Sequence, residues 1–370
     1  MLKNEFKREF CNCFSCASFH LKDRNVKHIR VSDAQKVYDV YDFKEEIGHG
    51  TFGIVVLAVE KSNTKQWAVK IVHKNIAGAT KLIEVNREIQ ILKVVDHQNI
   101  IYLSKVYESP KKLYMVLELC KAELYKIYKH SKPLSEKVTR RVIYQLADAV
   151  SYLHKNDVVH RDIKMENILI ADNPKNHNDE YFIKLTDFGL SIVKEGVGIQ
   201  SLMKDYCGTV LYMPPEILQM KTYSELCDVW SIGIIMYMML YGSNPFYNQN
   251  EEILMHNICF EEPKYITEGV SEQAIQLLKC ILEKDPVQRM TASQIKEHPW
   301  ISEKEGQSLS RGQNIVEMMK QFRFEMNSLT DRKSRGMSII CDGLELPSLS
   351  NTKLVKAGIK RSTTKVHKDK

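Results

Sequence analysis

Nowhere does this 370-residue chain hold an apolar run long enough to cross a bilayer. The longest, "WSIGIIMYMMLYG" (Trp230–Gly242), falls short of the ~20 residues a spanning helix needs and reads as a buried helix. The stretch "MLKNEFKREF" lacks the apolar core of a secretory signal. Cysteine is too sparse for a disulfide scaffold: nine residues, an odd number, mostly scattered, as suits a reducing compartment. The one cluster, "CNCFSC" (Cys11, Cys13, Cys16), has no second Cys/His pair nearby. Idle thiols are therefore a simpler reading than zinc or lipid attachment. These absences predict an intracellular, cytoplasmic protein, with nuclear access left open.

A one-signed charge on the body is missing too. Net charge is +7, yet residues 1–40 carry 8 Lys/Arg against 5 Asp/Glu, and the chain from Ile301 onward carries 14 against 8. The middle is slightly acidic. Basic ends on such a body predict flexible tails and exclude a nucleic-acid-binding body. Apolar content of 44% supplies a core and excludes wholesale disorder.

Residues 1–40 show little periodicity and are expected to form a flexible extension. From Tyr41 the pattern is β: "YDFKEEIGHG", "GIVVLAVEK" and "QWAVKIVHK" are Val/Ile-rich and punctuated by Gly or Asn. Helical spacing at Leu82, Val85, Ile89 and Leu92 predicts a helix over 80–95, and strands follow near 102–108 and 112–118. After Cys120 the chain turns helical. Ser135 is the expected N-cap of a helix with Val138, Val142, Leu146, Val150 and Leu153 on one face. Further helical patterns lie at 224–242, 251–259 and 271–283. A β-rich section followed by a helical one argues for two lobes of different class. The predicted fold is α+β, with a small β-rich lobe (41–118) and a larger, mainly helical lobe (119–301). Residues 302–370 read as a basic, mostly disordered tail carrying one amphipathic helix at 314–326.

Three local patterns carry chemistry. "GHGTFGIV" spaces Gly48, Gly50 and Gly53 as in a dinucleotide-binding turn, but a strand follows where that turn needs a helix. A flap over a nucleotide and an ordinary hairpin both fit. Lys70 in "WAVK" sits among strand residues, where a cation is costly unless it meets anions. Glu88 is a plausible partner, and a surface Lys on an edge strand is the alternative. "VVHRDIKMENILI" (158–170) sets six polar groups between two apolar, β-prone clamps, as in a solvated loop or a site.

Together these residues resemble the protein-kinase family. "GHGTFGIV", "AVK", "HRDIKMEN", "DFG", "PPE", Asp228 in "DVWSIG" and Arg289 before "HPW" occur in that order between about Tyr41 and Ile301. The resemblance implies a serine/threonine kinase that uses ATP and Mg2+. Asp162 would accept or orient the substrate hydroxyl, and Lys164 would neutralise the transferring phosphoryl. Asn167 and Asp187 would hold the metal, with Lys70 and Glu88 as a positioning pair. ATP would lie against Ile47, Gly48, Gly50, Gly53, Val55, Ala68, Lys70, Glu118 and Cys120. Leu92, Leu103, His160 and Phe188 match the family's stacked spine above Asp228, and Glu216 with Arg289 matches a buried ion pair. Completeness of the motifs favours catalysis over the alternative, a pseudokinase scaffold that binds partners without phosphotransfer.

Within the family the chain looks like the calcium/calmodulin-dependent group. "LELC" with "AEL" at the hinge, "NIVEMMK" after the domain, and a long insert, "ADNPKNHNDEYFIKL", narrow the resemblance further. There are departures. "CKAELY" is one residue short and lacks the usual Gly, which clouds ribose contacts by Glu123. Pro214 and Val210 replace common residues. Acids at Glu123 and Glu166 imply substrates with basic residues upstream of the acceptor. The helix at 314–326 implies calmodulin binding or, given its nearly cancelling charge, docking on the chain's own helical lobe. Where many relatives carry a phosphorylated threonine stands Asp205, expected to pair with Arg161 as a permanent tether. Glu84 and Ile192 stand where some relatives place basic residues. Otherwise Asp205 is solvated and Ser201, Tyr206 or Thr209 regulates.

Overall fold

The computed structural model describes residues 23–50, 53–194, 203 and 207–302. All lie in the first of two units, Met1–Ile315. Cys11, Cys13, Cys16, Ser201, Asp205, Tyr206 and the helix expected at 314–326 fall outside the described residues.

Six strands build the first lobe: β1 (Lys27–Arg30), β2 (Tyr41–Gly50), β3 (Gly53–Glu60), β4 (Gln66–His73), β5 (Leu103–Glu108) and β6 (Lys112–Glu118). Their order is β1-β5-β6-β4-β3-β2, antiparallel except for β1 beside β5. The central strand β4 is buried on both faces, and its period of two sorts its side chains. Trp67, Val69 and Ile71 join one cluster with Tyr41, Tyr114 and Val116. Ala68 and Val72 join the larger core. Lys70 falls between them, on the face covered by helix α2 (Lys74–Val94). That helix buries Val85, Glu88, Ile89 and Leu92, one stripe at i, i+3, i+4 and i+7. Glu88 is thus the single acid on an otherwise apolar stripe. Backbone helicity breaks at Gly78, where φ is 70° and ψ 174°.

Short β7 (Ala122–Glu123) and α3 (Leu124–Ser131), preceded by α1 (Gln35–Val40) and α2 in the first lobe, lead into α4 (Glu136–Lys155). Ser135 caps α4 by accepting from the Val138 N–H at 3.4 Å, and Val142, Leu146, Val150 and Leu153 are buried. The run read as a buried helix is α5 (Leu226–Tyr241), covered on all sides from Cys227 to Leu240. Gly233 lets it approach Ile281 and Leu282 closely, because a Cβ there would meet Ile281 at 2.6 Å. Helices α6 (Glu251–Phe260), α7 (Glu272–Ile281) and α8 (Ala292–Glu297) complete the lobe. Arg289 donates to both carboxylate oxygens of Glu216 at 2.7 and 3.0 Å, and both side chains are buried. One continuous core runs from β4 and α2 through α4 to α5. The two-lobed α+β architecture is as expected.

The structure departs from expectation over residues 27–40. Instead of a flexible extension, β1 adds a strand to the sheet, and α1 buries Val37 completely. The cause is main-chain pairing. β1 is "KHIR", whose only apolar side chain is Ile29, so its stability comes from hydrogen bonding to β5 and leaves no hydrophobic signature.

Candidate active site

The polar loop 160–167 is clamped as its flanks suggest. Val158–Val159 (β8) pairs with Ile192–Val193 (β11), and Ile168–Ala171 (β9) pairs with Phe182–Leu185 (β10). The long insert is the connection between β9 and β10, tied by Asn173 Nδ2 donating to Asp179 Oδ2 at 2.8 Å. Beneath the loop, buried Asp228 accepts from the His160 N–H at 2.9 Å, the Arg161 N–H at 2.8 Å and faces His154 Nε2 at 2.9 Å. Those bonds hold Arg161 in the left-handed region, at φ 67°. Burial alone would raise the Asp228 pKa, but His154 and His160 outweigh it and hold it below the ordinary value. His160 packs its ring 4.8 Å from Phe188, and Leu92, Leu103 and Phe188 are fully buried in the common core.

Asp162 is the centre of the polar cluster. Its Oδ2 meets Lys164 Nζ at 2.7 Å and Asn167 Nδ2 at 3.1 Å, and its Oδ1 accepts from Thr209 Oγ1 at 3.2 Å. Lys164 Nζ also reaches Thr209 Oγ1 at 3.3 Å. Asn167 spends its other N–H on the Asp162 carbonyl at 2.9 Å, which fixes the amide so that Oδ1 is its free acceptor face. The Asn167 carbonyl accepts from the Thr186 N–H at 2.9 Å, which joins this loop to the segment bearing Asp187. Asp187 has φ 65°, and Gly189 N–H approaches its Oδ1 at 3.4 Å. Burial works against its charge, but Lys70, His160 and the Gly189 N–H outweigh burial and hold the carboxyl below its usual pKa.

From the first lobe, Lys70 Nζ donates to Glu88 Oε2 at 2.6 Å, so the alternative of a surface Lys on an edge strand does not hold. Burial disfavours the ammonium, but Glu88 and Asp187 keep it protonated and raise its pKa. Pairing registers Val55 opposite Lys70, which puts Val55, Ala68 and Lys70 on one face of the sheet. Gly50 pairs with Gly53 at the tip of the β2–β3 hairpin. Packing demands glycine at Gly53, where a Cβ would sit 2.0 Å from the Ile71 carbonyl, but not at Gly48, where it would meet Val55 at an ordinary 3.5 Å. Ile47 is exposed. At the end of β6, Glu118 registers opposite Trp67, hence on the other face, and its Oε1 accepts from the Tyr102 N–H at 2.7 Å and from Lys184 at 2.8 Å. Burial, then the Glu118 charge, pushes the Cys120 thiol up to about 12.

The shortened hinge folds as β7 paired to β9, and Glu123 turns to Lys126 at 3.0 Å. Glu166 is exposed, near Tyr212. Arg161 has partners independent of Asp205: Nε donates to the Leu190 carbonyl at 2.7 Å, and Nη1 to Tyr223 OH at 3.3 Å. Glu84 pairs with Lys81, and Ile192 lies in β11. Sequence reasoning missed three features. Thr209, expected as a regulatory residue, also contacts Asp162 and Lys164 directly. His154 supports Asp228 across α4 and α5. Arg87 of α2 donates to the Gly189 carbonyl at 3.3 Å.

A β-rich lobe presenting an ion-paired Lys from below a glycine hairpin, facing an Asp-Lys-Asn loop on a helical lobe, defines a protein kinase domain. The comparison with known families agrees: residues 41–301 match the protein kinase domain, and the chain belongs to that family. Among characterised proteins it is similar to serine/threonine-protein kinase 33 of Mus musculus, 40% identical over 308 residues, and of Bos taurus, 39% over 306. These alignments cover 80% of this chain but 62% of either relative, so the chain spans less than two thirds of their length. Calcium/calmodulin-dependent protein kinase type 1B of Rattus norvegicus is 35% identical over 275 residues, covering 72% of this chain and 77% of that protein. Among the described residues no helix is long and apolar enough to cross a membrane.

Proposed function

We propose that this chain is an active protein kinase that transfers the γ-phosphoryl group of ATP to serine or threonine hydroxyls of intracellular proteins. The observation that carries this reading is the Asp162 carboxylate, held at once by Lys164, Asn167 and Thr209. Phosphoryl transfer needs positioning and cations more than covalent help. Asp162 orients the acceptor hydroxyl and takes its proton. Lys164, fixed between Asp162 and Thr209, supplies positive charge to the transferring group. Lys70, kept protonated by Glu88, holds the triphosphate from above, with Ile47, Val55, Ala68, Glu118 and Cys120 lining the nucleotide end and the β2–β3 hairpin over the phosphates.

The donor set fits Mg2+. Asp187 offers a carboxylate held ionised, and Asn167 offers an amide oxygen whose orientation is fixed by its own N–H bonds. Hard oxygen ligands in that number suit a cation shared with phosphates. Held by Asp187 and Asn167, Mg2+ would neutralise phosphate charge.

The acids at Glu166 and Glu123 favour substrates with basic residues before the acceptor. Glu166 carries more of that preference, since Glu123 already faces Lys126. On composition alone, the 314–326 segment would bind calmodulin or the helical lobe. The Asp205 tether is argued from charge, since Asp205 lies outside the described residues, and phosphatase-treated protein beside Asp205→Ala tests it. The main test is a peptide array with purified protein and an Asp162→Asn control. Phosphorylation of basic-flanked Ser/Thr peptides that falls ~10²–10⁴-fold in the variant is expected. Equal signal from both proteins, or none from the wild type, overturns the reading.

A further inference from the structure

We propose that Arg24 is a positioning residue for the Lys70–Glu88 pair. It acts by capping the C-terminal end of α2 from outside the matched kinase domain, and the inference rests on the kinase reading above. A helix leaves its last carbonyls without partners inside the helix, and their partial negative charge favours a cation there. In α2 the first need is met locally, by the Val95 N–H donating to the Ile91 carbonyl at 3.0 Å. Arg24 supplies another donor and a cation at this end. Its backbone N–H donates to the Lys93 carbonyl at 3.0 Å. Its guanidinium donates to the Val95 carbonyl at 2.8 Å and to the Leu103 carbonyl at 2.7 Å, and lies 4.4 Å from the Tyr102 ring. One side chain therefore fastens the end of α2 to the first residue of β5.

The other end of α2 is tied through Lys74, whose N–H donates to the Lys111 carbonyl at 3.0 Å and whose Nζ donates to Glu108 Oε1 at 2.6 Å, but a break in the helix separates that anchor from Glu88. The N-cap, His73, makes no side-chain capping bond, and the helical path breaks at Gly78. The C-terminal end is accordingly the fixed point for the part of α2 that carries Glu88. Glu88 lies about two turns upstream of that point, and it must stay within 2.6 Å of Lys70. Strand β1 holds the clasp in place: it begins three residues after Arg24 and pairs Lys27 to Arg30 with Lys105 to Glu108 of β5.

The experiment uses the full chain with Arg24→Ala, Arg24→Lys and Val37→Ala. Val37→Ala is the control, since it removes a buried side chain from the same lobe without touching α2. Two quantities are read: amide exchange along α2 and α4, and kcat and KM for ATP and for peptide. Arg24→Ala is expected to speed exchange at Glu88–Val94 while α4 stays protected. It should also lower kcat/KM for ATP about tenfold, with the peptide KM unchanged. Arg24→Lys, which keeps the charge but not the fork, should recover part of both. Unchanged exchange in Arg24→Ala, or an equal effect of Val37→Ala on α2, overturns the inference. If the wild type shows no phosphotransfer, the reading of function fails, and the exchange comparison alone decides this one.

Discussion

The loop 158–170 and the segment 23–40 are fixed by the same device with opposite sign. In the loop, the Asp228 carboxylate gathers two consecutive backbone N–H groups. In the segment, the Arg24 guanidinium gathers two carbonyls from different elements. Each spends a charged side chain on backbone groups that no helix or ladder satisfies. They differ in depth. Asp228 is 1% exposed and part of the core of the helical lobe, whereas Arg24 is half-buried at a sheet edge. A buried carboxylate must be fully compensated, so the loop it holds has one conformation available. An edge clasp can open at modest cost. The contrast suits the proposed roles: a rigid loop for the reacting groups, and an adjustable fastening for the helix that carries Glu88.

The largest effect is expected from breaking the deeper device. Asp228→Ala leaves two buried N–H groups and His154 without their acceptor and should destabilise by ~3–5 kcal/mol, as for removal of one member of a buried charged network. Asp228→Asn retains acceptor capacity and should lose less. Urea midpoints of the three proteins check this. If Asp228→Ala unfolds at the wild-type midpoint, the loop is held by its flanking strands and the contrast with Arg24 collapses.

Next in size is removal of residues 1–40, which cuts the chain at the boundary of the matched domain. It strips β1 from β5, withdraws Val37 from its pocket and removes Arg24. Loss of one fully buried valine alone is worth ~1.5–3 kcal/mol. The truncated protein should therefore unfold at lower urea, with a smaller m-value because less surface is exposed on unfolding. Truncation that leaves the midpoint unchanged would mean the added strand contributes nothing to the lobe.

What the sequence revealed follows from the same contrast. Periodicity located α2, α4 and α5 because their burial is one-sided or complete and their cores are apolar. The six polar groups between Val159 and Ile168 drew notice because such density beside apolar clamps is costly unless used. Motif order then named Asp162, Lys164, Asn167 and Asp187, which the structure brings into one cluster with Lys70 and Glu88. Residues 27–40 were unreadable because "KHIR" is stabilised through backbone pairing, which side-chain pattern does not encode. Arg24 was unreadable because its partners are carbonyls around Val95 and Leu103, and a carbonyl has no letter. The contact of Thr209 with Asp162 was hidden for a related reason: its hydroxyl reaches that carboxylate only once the chain between them has folded back.

The smallest effect sharpens the comparison through a group with no opposite charge beside it. His298, in the turn between α8 and the last helical turn, is buried, and its Nδ1 accepts from the Trp300 N–H at 3.2 Å. Burial alone lowers its pKa from 6.5, unlike Asp228, whose histidine neighbours reverse the effect of burial. The folded state therefore keeps the ring neutral, while the unfolded chain takes up a proton at ordinary pKa. Below pH 6.5 the unfolded state binds more protons, so this contribution to stability is present above pH 6.5 and is lost as pH falls toward the lowered value. His97, also lowered by burial, adds a loss of the same sign despite its contact with Asp148. Asp187 and Asp228, held below the ordinary carboxylate range, lose their contribution only at more acid pH. Each titrating histidine can change stability by at most ~1.4 kcal/mol per pH unit. Urea midpoints from pH 7.5 to 5.5 should then fall for the wild type and fall less steeply for His298→Gln. Parallel slopes would show that the buried ring keeps its ordinary pKa, and that burial without a charged partner has no titration consequence at this turn.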